Sequence, residues 1–328
     1  MAEKDITKER VVYKPFEYPE AFDYWLKQQQ AHWIHTEVPM MSDINDWKQS
    51  LTETEKNIIG SILKGFAQTE TVVNDYWTGL VTKWFRKPEI IAMATVFGAM
   101  ETVHAEAYSL LNEELGLDDF SEFLEDESTM AKIEALTEVR DSFGDEVNWH
   151  ERAKSLAIFS AFTEGVNLFS SFAVLLSFKL RNKLKGVGQI VEWSIRDESM
   201  HSEAGCWLFR TLLEEKPELK TPELETAINE AALLSLQLEL DFIEKVYEQG
   251  DLEGCNKNDL ISFIKHRVNT KMGDLGYRPI VNGIDVKAIE RMKWFDHLSA
   301  GKQHTDFFAS RVTNYSKGTM DWDAESIF

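Results

Sequence analysis

At 328 residues with 43% hydrophobic content, the chain is long enough to bury a substantial core as one large domain or two small ones. A formal net charge of −21 argues against nucleic acid as a direct partner, because phosphate contacts need clustered Lys and Arg. No apolar run reaches the roughly 18–20 residues of a membrane span. The charged stretch Met1–Arg10 carries no apolar core of a secretory signal, and Cys206 and Cys255 are the only cysteines, so a reducing, cytoplasmic setting without membrane contact is expected.

Residues 1–15 are polar and read as an N-terminal arm to a helical domain over 16–310. Thr52-Glu53-Thr54-Glu55 fits a capping box and opens a helix running to about Lys83. A second helix follows Lys87-Pro88 and stops at Gly116, and a third is predicted unbroken from Trp149 to Leu184. Its stretch Phe169–Phe178 is strongly apolar but only about three turns long, which marks a buried helix. A fourth spans about Gln189–Glu215, ahead of Pro217. Further helices fit Pro222–Gln249, Asn258–Met272 and Val286–Trp294, while Asn282-Gly283 marks a turn or small hairpin. From about Arg311 the periodicity is lost, and residues 311–328 read as a flexible tail whose end, acidic residues followed by Ile327 and Phe328, can anchor in a groove on a partner. Helices this much longer than the average of about 11–12 residues suit an all-α, long-helix bundle.

Two Glu-x-x-His motifs stand out, Glu101-Thr-Val-His104 and Glu198-Ser-Met-His201. Residues at i and i+3 share a helix face, so each motif can present a carboxylate and an imidazole to one metal ion. A single copy is weak, but each is preceded by a helix with an isolated glutamate among apolar or small neighbours, Glu70 and Glu164. The separations are 31 residues from Glu70 to Glu101 and 34 from Glu164 to Glu198, one up-and-down helix pair each; the second pair follows the first by 94 to 97 residues. The arrangement is that of ferritin-like carboxylate-bridged dinuclear bundles. Four carboxylates facing one interior would each cost about several kcal/mol unless compensated, and two multivalent cations compensate them. Oxygen and imidazole donors suit Mn or Fe better than Zn.

With these residues in place, the chain resembles the small, radical-generating subunit of class I ribonucleotide reductase, from about Trp33 to the tail. Ile195-Arg196-Asp197-Glu198-Ser-Met-His201 is similar to that family's Arg-Asp-Glu-x-x-His segment. The resemblance implies a ferritin-like bundle with additional helices and a homodimer. It implies an oxidising equivalent drawn from O2 or a related oxidant and passed to a cysteine of a large subunit, where ribonucleotides become deoxyribonucleotides. It further implies roles for four residues. Tyr108, four residues after His104, matches the tyrosine that stores a radical in many members; Trp33, 37 residues before Glu70, matches an electron-relay tryptophan. Asp197 matches the carboxylate linking that tryptophan to His104, and Tyr315 the tail tyrosine that relays the radical to the large subunit, on which the tail docks.

The sequence departs from the tyrosyl-radical members at two places. Their first ligand is usually Asp, where this chain has Glu70, and the longer carboxylate resembles the manganese-using subclasses. Around Tyr108 the usually greasy positions read Leu168, Phe172 and the polar Ser194. The resemblance implies from Glu70 a manganese-using centre, with iron or as a manganese pair, and from Ser194 an equivalent held on the metals rather than on Tyr108. The best-known manganese–iron members replace this tyrosine, so its retention favours two manganese ions over manganese–iron or two irons. The alternatives are an oxygen-activating ferritin-like oxidase or monooxygenase component, which would need a substrate channel at the metals, and metal storage, which the extra helices and tail disfavour.

Overall fold

A computed structural model describes residues 4–117, 148–248 and 250–299; the predicted tail, Tyr315 included, lies outside these described residues. Among them are ten α-helices longer than a single turn, one further α-helical turn, and no strand, only an isolated bridge between Leu252 and Cys255. The all-α expectation holds.

Two helices that the sequence pattern does not predict come first. Helix α1, Pro19–Gln30, opens on a proline, and α2 is Met41–Gln49. Before them the arm lies against the body: the Ile6 side chain is buried, and the Glu89 carboxylate takes Arg10 together with the Glu17 and Tyr18 backbone N–H groups at 2.9 and 3.1 Å. Helix α3, Glu53–Asp75, starts on the predicted capping box, with Glu55 N–H donating to Thr52 Oγ1 (3.2 Å) and Thr52 N–H to Glu55 Oε2 (2.8 Å). It continues through a π-helical turn, Tyr76–Val81, into a last turn, Thr82–Trp84. Helix α4, Pro88–Leu115, runs from a proline at its first turn to the left-handed Gly116.

The third predicted helix is not continuous. Helix α5, Trp149–Ile158, passes into a π-helical stretch, Phe159–Thr163, and then turns before α6, Phe169–Leu180. Glu164 N–H bonds back five residues to Phe159 O at 3.0 Å, which swings the chain out of α-helical register. Gly165 makes the break possible: a Cβ there would fall 2.2 Å from Ala161 O and 2.7 Å from Ser202 Oγ. Helix α6 is buried along Phe169–Phe178, as its composition predicts.

Helix α7, Lys185–Glu215, is the longest among the described residues, at 31 residues. Its N-terminus is capped from α2, where Asp43 accepts from Gly186 N–H (3.0 Å) and Val187 N–H (2.9 Å). Helices α8 (Pro222–Glu248), α9 (Lys257–Asp274) and α10 (Val286–Ser299) cover this core. Asn282-Gly283 forms neither an assigned turn nor a hairpin: it lies in an irregular loop in which Gly283 takes a left-handed φ of +72°. Asn269 on α9 accepts from Ile280 and Val281 N–H and donates to Val281 O. At the centre α3 packs on α4, and α5 with its π stretch packs on α7.

Candidate metal centre

The four central segments bring all six predicted ligand residues to one point. Glu70 comes from α3, Glu101 and His104 from α4, Glu164 from the end of the π stretch, and Glu198 and His201 from α7; each is 1% exposed or less. The ligand atoms of Glu70, Glu101, His104 and Glu198 lie within 4.8 Å of one another, and so do those of Glu101, Glu164, Glu198 and His201. Glu101 and Glu198 belong to both sets, so the site has two lobes with two shared carboxylates. The Glu-x-x-His spacing puts each imidazole beside these carboxylates: His104 Nδ1 is 3.0 Å from Glu101 Oε2 and 2.9 Å from Glu198 Oε1, and His201 Nδ1 is 2.7 Å from Glu101 Oε1.

The outward-facing ring nitrogens have acceptors. His104 Nε2 sits 3.1 Å from Asp197 Oδ2, and His201 Nε2 is 3.1 Å from Gln28 Oε1. Gln28 Nε2 donates to Asp197 Oδ1 at 3.0 Å, which fixes its oxygen toward His201. A carboxylate and an amide oxygen only accept, so each imidazole carries a proton on Nε2, which leaves Nδ1, the nitrogen turned toward the carboxylates, as the one available to a metal. Trp33, 1% exposed, donates Nε1–H to Asp197 Oδ2 at 2.8 Å and stacks on His104 with ring centres 5.6 Å apart. Trp33, Asp197 and His104 thus form one hydrogen-bonded series.

The interior of the site is short of donors. Among the described residues, both oxygens of Glu70 and of Glu198, Glu101 Oε1 and His201 Nδ1 are buried without a hydrogen-bond partner. Burial and the Glu198 charge raise the Glu70 carboxyl well above its ordinary range, and burial with Glu198 and Glu101 does the same to Glu164. Burial pushes the His201 imidazole down, but the Glu101 and Glu198 carboxylates outweigh it and bring it up to about 9. Orphaned carboxylate oxygens converging with two inward Nδ1 atoms are what two multivalent cations satisfy, and the donor set fits a dinuclear centre.

Tyr108 is fully buried on α4, four residues beyond His104. Its hydroxyl donates to Ser194 Oγ at 2.8 Å, and burial together with the Glu70 carboxylate raises its pKa well above the ordinary phenol value. Phe66 packs between Tyr108 and Phe172, 4.7 and 5.0 Å from their ring centres. Three residues here were not singled out in the sequence: Gln28, Phe66 and Trp77. Trp77, on the π turn after α3, donates Nε1–H to Glu164 Oε1 at 2.6 Å. Its position seven residues after Glu70, two helical turns on, was the one available signal.

Long packed helices that converge four buried carboxylates and two imidazoles define a ferritin-like dinuclear metal protein. The sequence model of the family "Ribonucleotide reductase, small chain" matches residues 10–287. The probable ribonucleoside-diphosphate reductase small subunit 048L of Invertebrate iridescent virus 3 is 34% identical over 333 residues, covering 96% of this chain and 87% of its own. Two solved structures share the fold at lower identity. A putative class I ribonucleotide reductase from Bacillus halodurans has a TM-score of 0.77 at 22% identity, covering 85% of this chain and 99% of its own. The dimanganese(II) NrdF of Streptococcus sanguinis has a TM-score of 0.74 at 21% identity, with 87% and 99% covered.

The chain belongs to the ribonucleotide reductase small-chain family. It is therefore the small, radical-generating component of a class I ribonucleoside-diphosphate reductase, which works with a large subunit. Membership decides against the oxidase and storage alternatives. No described helix is long and apolar enough to cross a membrane.

Proposed function

We propose that Glu70, Glu101, His104, Glu164, Glu198 and His201 ligate two manganese ions, and that the stored oxidising equivalent leaves through Asp197 and Trp33. The observation that carries the reading is the series Trp33 Nε1–H to Asp197 Oδ2 at 2.8 Å and Asp197 Oδ2 to His104 Nε2 at 3.1 Å. When bound, the metals supply the redox chemistry, holding one oxidising equivalent derived from an oxygen-based oxidant. The protein's part is to wire and insulate that equivalent. Trp33 gives up an electron, and its indole proton has an acceptor in Asp197 Oδ2, so charge does not build on the ring. Gln28 keeps Asp197 aimed at both Trp33 and His104. Reversal returns the proton and the electron together.

Tyr108 is proposed as a bystander to this storage. Its proton is donated to a serine hydroxyl, a poor base beside a carboxylate, so oxidation of the phenol lacks a nearby proton acceptor. Manganese is favoured by Glu70 in place of aspartate, and the S. sanguinis dimanganese protein shares the fold. The tail 311–328, with Tyr315, is proposed to dock on the large subunit and relay the equivalent, with the small subunit acting as a homodimer and residues 16–310 forming its body. Metal analysis with electron paramagnetic resonance of the activated protein, followed by a ribonucleotide-reduction assay with the large subunit, tests the whole. A multiline manganese signal and loss of turnover on deleting 312–328 are expected. An isolated tyrosyl doublet would reassign storage to Tyr108.

A further inference from the structure

The two lobes of the centre are built on a repeated helix pair, yet their terminal glutamates are held differently. Glu70 lies on a regular helix, and neither of its oxygens has a hydrogen-bond partner among the described residues. Glu164 follows a π stretch and accepts the Trp77 indole N–H on Oε1 at 2.6 Å. Trp77 is fully buried; its ring packs edge-on against Phe97 and Phe159, 5.1 and 5.8 Å between centres, and lies 6.2 Å from the His201 ring. This contact crosses between the helix pairs, since Trp77 follows the helix that carries Glu70 and reaches the ligand of the opposite lobe.

The route by which Trp77 gets there is a local device. The π turn Tyr76–Val81 adds a residue to the end of α3 and turns Trp77 inward. Gly98 on α4 makes room for it: a Cβ at position 98 would fall 2.4 Å from Thr78 Cγ2 and 3.6 Å from Trp77 Cβ. π turns are frequent at functional sites, and here the side chain on the turn is a donor to a terminal carboxylate of the site.

We infer that Trp77 is a positioning residue that holds Glu164 through Oε1, leaving only its other oxygen for metal, and so makes the Glu164–His201 lobe the rigid one of two inequivalent metal positions. This rests on the dinuclear reading of the site. An indole N–H donates only, so it fixes the carboxylate's rotamer and drains charge from the engaged oxygen. Among the described residues no donor restrains Glu70 in this way, which leaves it both oxygens for binding. Partners of this kind, which bind a ligand rather than the metal, commonly change metal affinity about 10–100-fold when removed.

The test is a Mn(II) titration of the full-length, metal-stripped chain, with free Mn(II) followed by its six-line electron paramagnetic resonance signal. The parent protein should take up two equivalents of unequal affinity. Trp77→Phe should weaken one equivalent about 10–100-fold and leave the other within about twofold, and Trp77→His, which keeps a ring N–H, should recover part of the loss. Tyr76→Phe, which loses only the hydrogen bond to Ser155, should titrate as the parent does. If Trp77→Phe does not fold, β-benzothienylalanine at position 77 keeps the ring shape and removes only the N–H. Two unchanged equivalents, or two that weaken together, would overturn the assignment. Failure of the parent to bind two equivalents would instead overturn the dinuclear reading itself.

Discussion

The α3–α4 lobe and the α5–α7 lobe start from one sequence pattern, a lone glutamate followed about thirty residues later by Glu-x-x-His, and end in different structures. In the first, α3 and α4 remain regular through Glu70, Glu101 and His104. In the second, the helix carrying the lone glutamate breaks: a π stretch ends at Glu164, and a turn at Gly165 separates it from α6. The pattern specifies which residues face the interior, whereas the backbone around them is set by neighbours. Two Glu-x-x-His helices with shared carboxylates secure a symmetric ligand count; the π stretch and Trp77 then remove the symmetry of the second lobe.

The largest expected effect comes from breaking what the lobes share. Glu101→Ala or Glu198→Ala should abolish binding of both metals, while Glu70→Ala should spare the Glu164–His201 position; metal content after reconstitution distinguishes them. Equal losses for Glu70→Ala and Glu198→Ala would remove the shared-carboxylate reading. Next is Trp33→Phe. It should eliminate turnover with the large subunit and leave metal content intact, and full turnover would refute the Asp197–Trp33 route.

A pH experiment sharpens the charge argument. His104 and His201 have raised pKa values when folded, His201 reaching about 9 from an ordinary 6.5. They bind more protons folded than unfolded, so their contribution is complete below about 6.5 and is lost as pH rises through about 9. The raised carboxyls of Glu70 and Glu164 act in the same direction, while the lowered Glu198 carboxyl contributes constantly above its ordinary 4.5. Metal-stripped protein should therefore melt at a lower temperature at pH 9 than at pH 7. Metal-loaded protein, whose carboxylates are neutralised by cations, should lose most of that slope. Thermal denaturation of both forms across this range is the check.

Smaller effects lie outside the ligand set. Asp43→Ala removes the two backbone bonds that cap α7 and should cost roughly 1–3 kcal/mol in urea denaturation. Tyr108→Phe gives up one hydrogen bond to Ser194 and should cost about 1 kcal/mol, with storage of the oxidising equivalent retained. Its loss would restore Tyr108 to the centre of the mechanism.

Much of this was legible because it is periodic or local. The capping box at Thr52, the proline start and glycine stop of α4, and the buried character of Phe169–Phe178 are one-helix properties read from a few neighbouring residues. The six residues proposed as ligands were legible as a cluster because helical spacing puts i and i+3 on one face and because four buried carboxylates make sense together only around cations. Helices α1 and α2 escaped because they are short; their value lies in what they reach across space, Gln28 to His201 and Asp43 to the start of α7. The unbroken third helix was misread for a related reason. Nothing in Phe159–Leu168 forbids an α-helix locally, and the break depends on Gly165 fitting against Ser202 and Lys271.

The amino-acid sequence by itself determined the class of the fold, the register of two Glu-x-x-His helices and the chemistry of the six residues they bring inward, because helical periodicity and the cost of burying charge operate whatever the surroundings. Tertiary structure alone decided the rest: which imidazole nitrogen faces the metals, through Asp197 and Gln28; the Trp33–Asp197–His104 series; and the unequal restraint of Glu70 and Glu164. Each depends on a hydrogen bond between residues far apart in the chain, whose geometry no local pattern encodes.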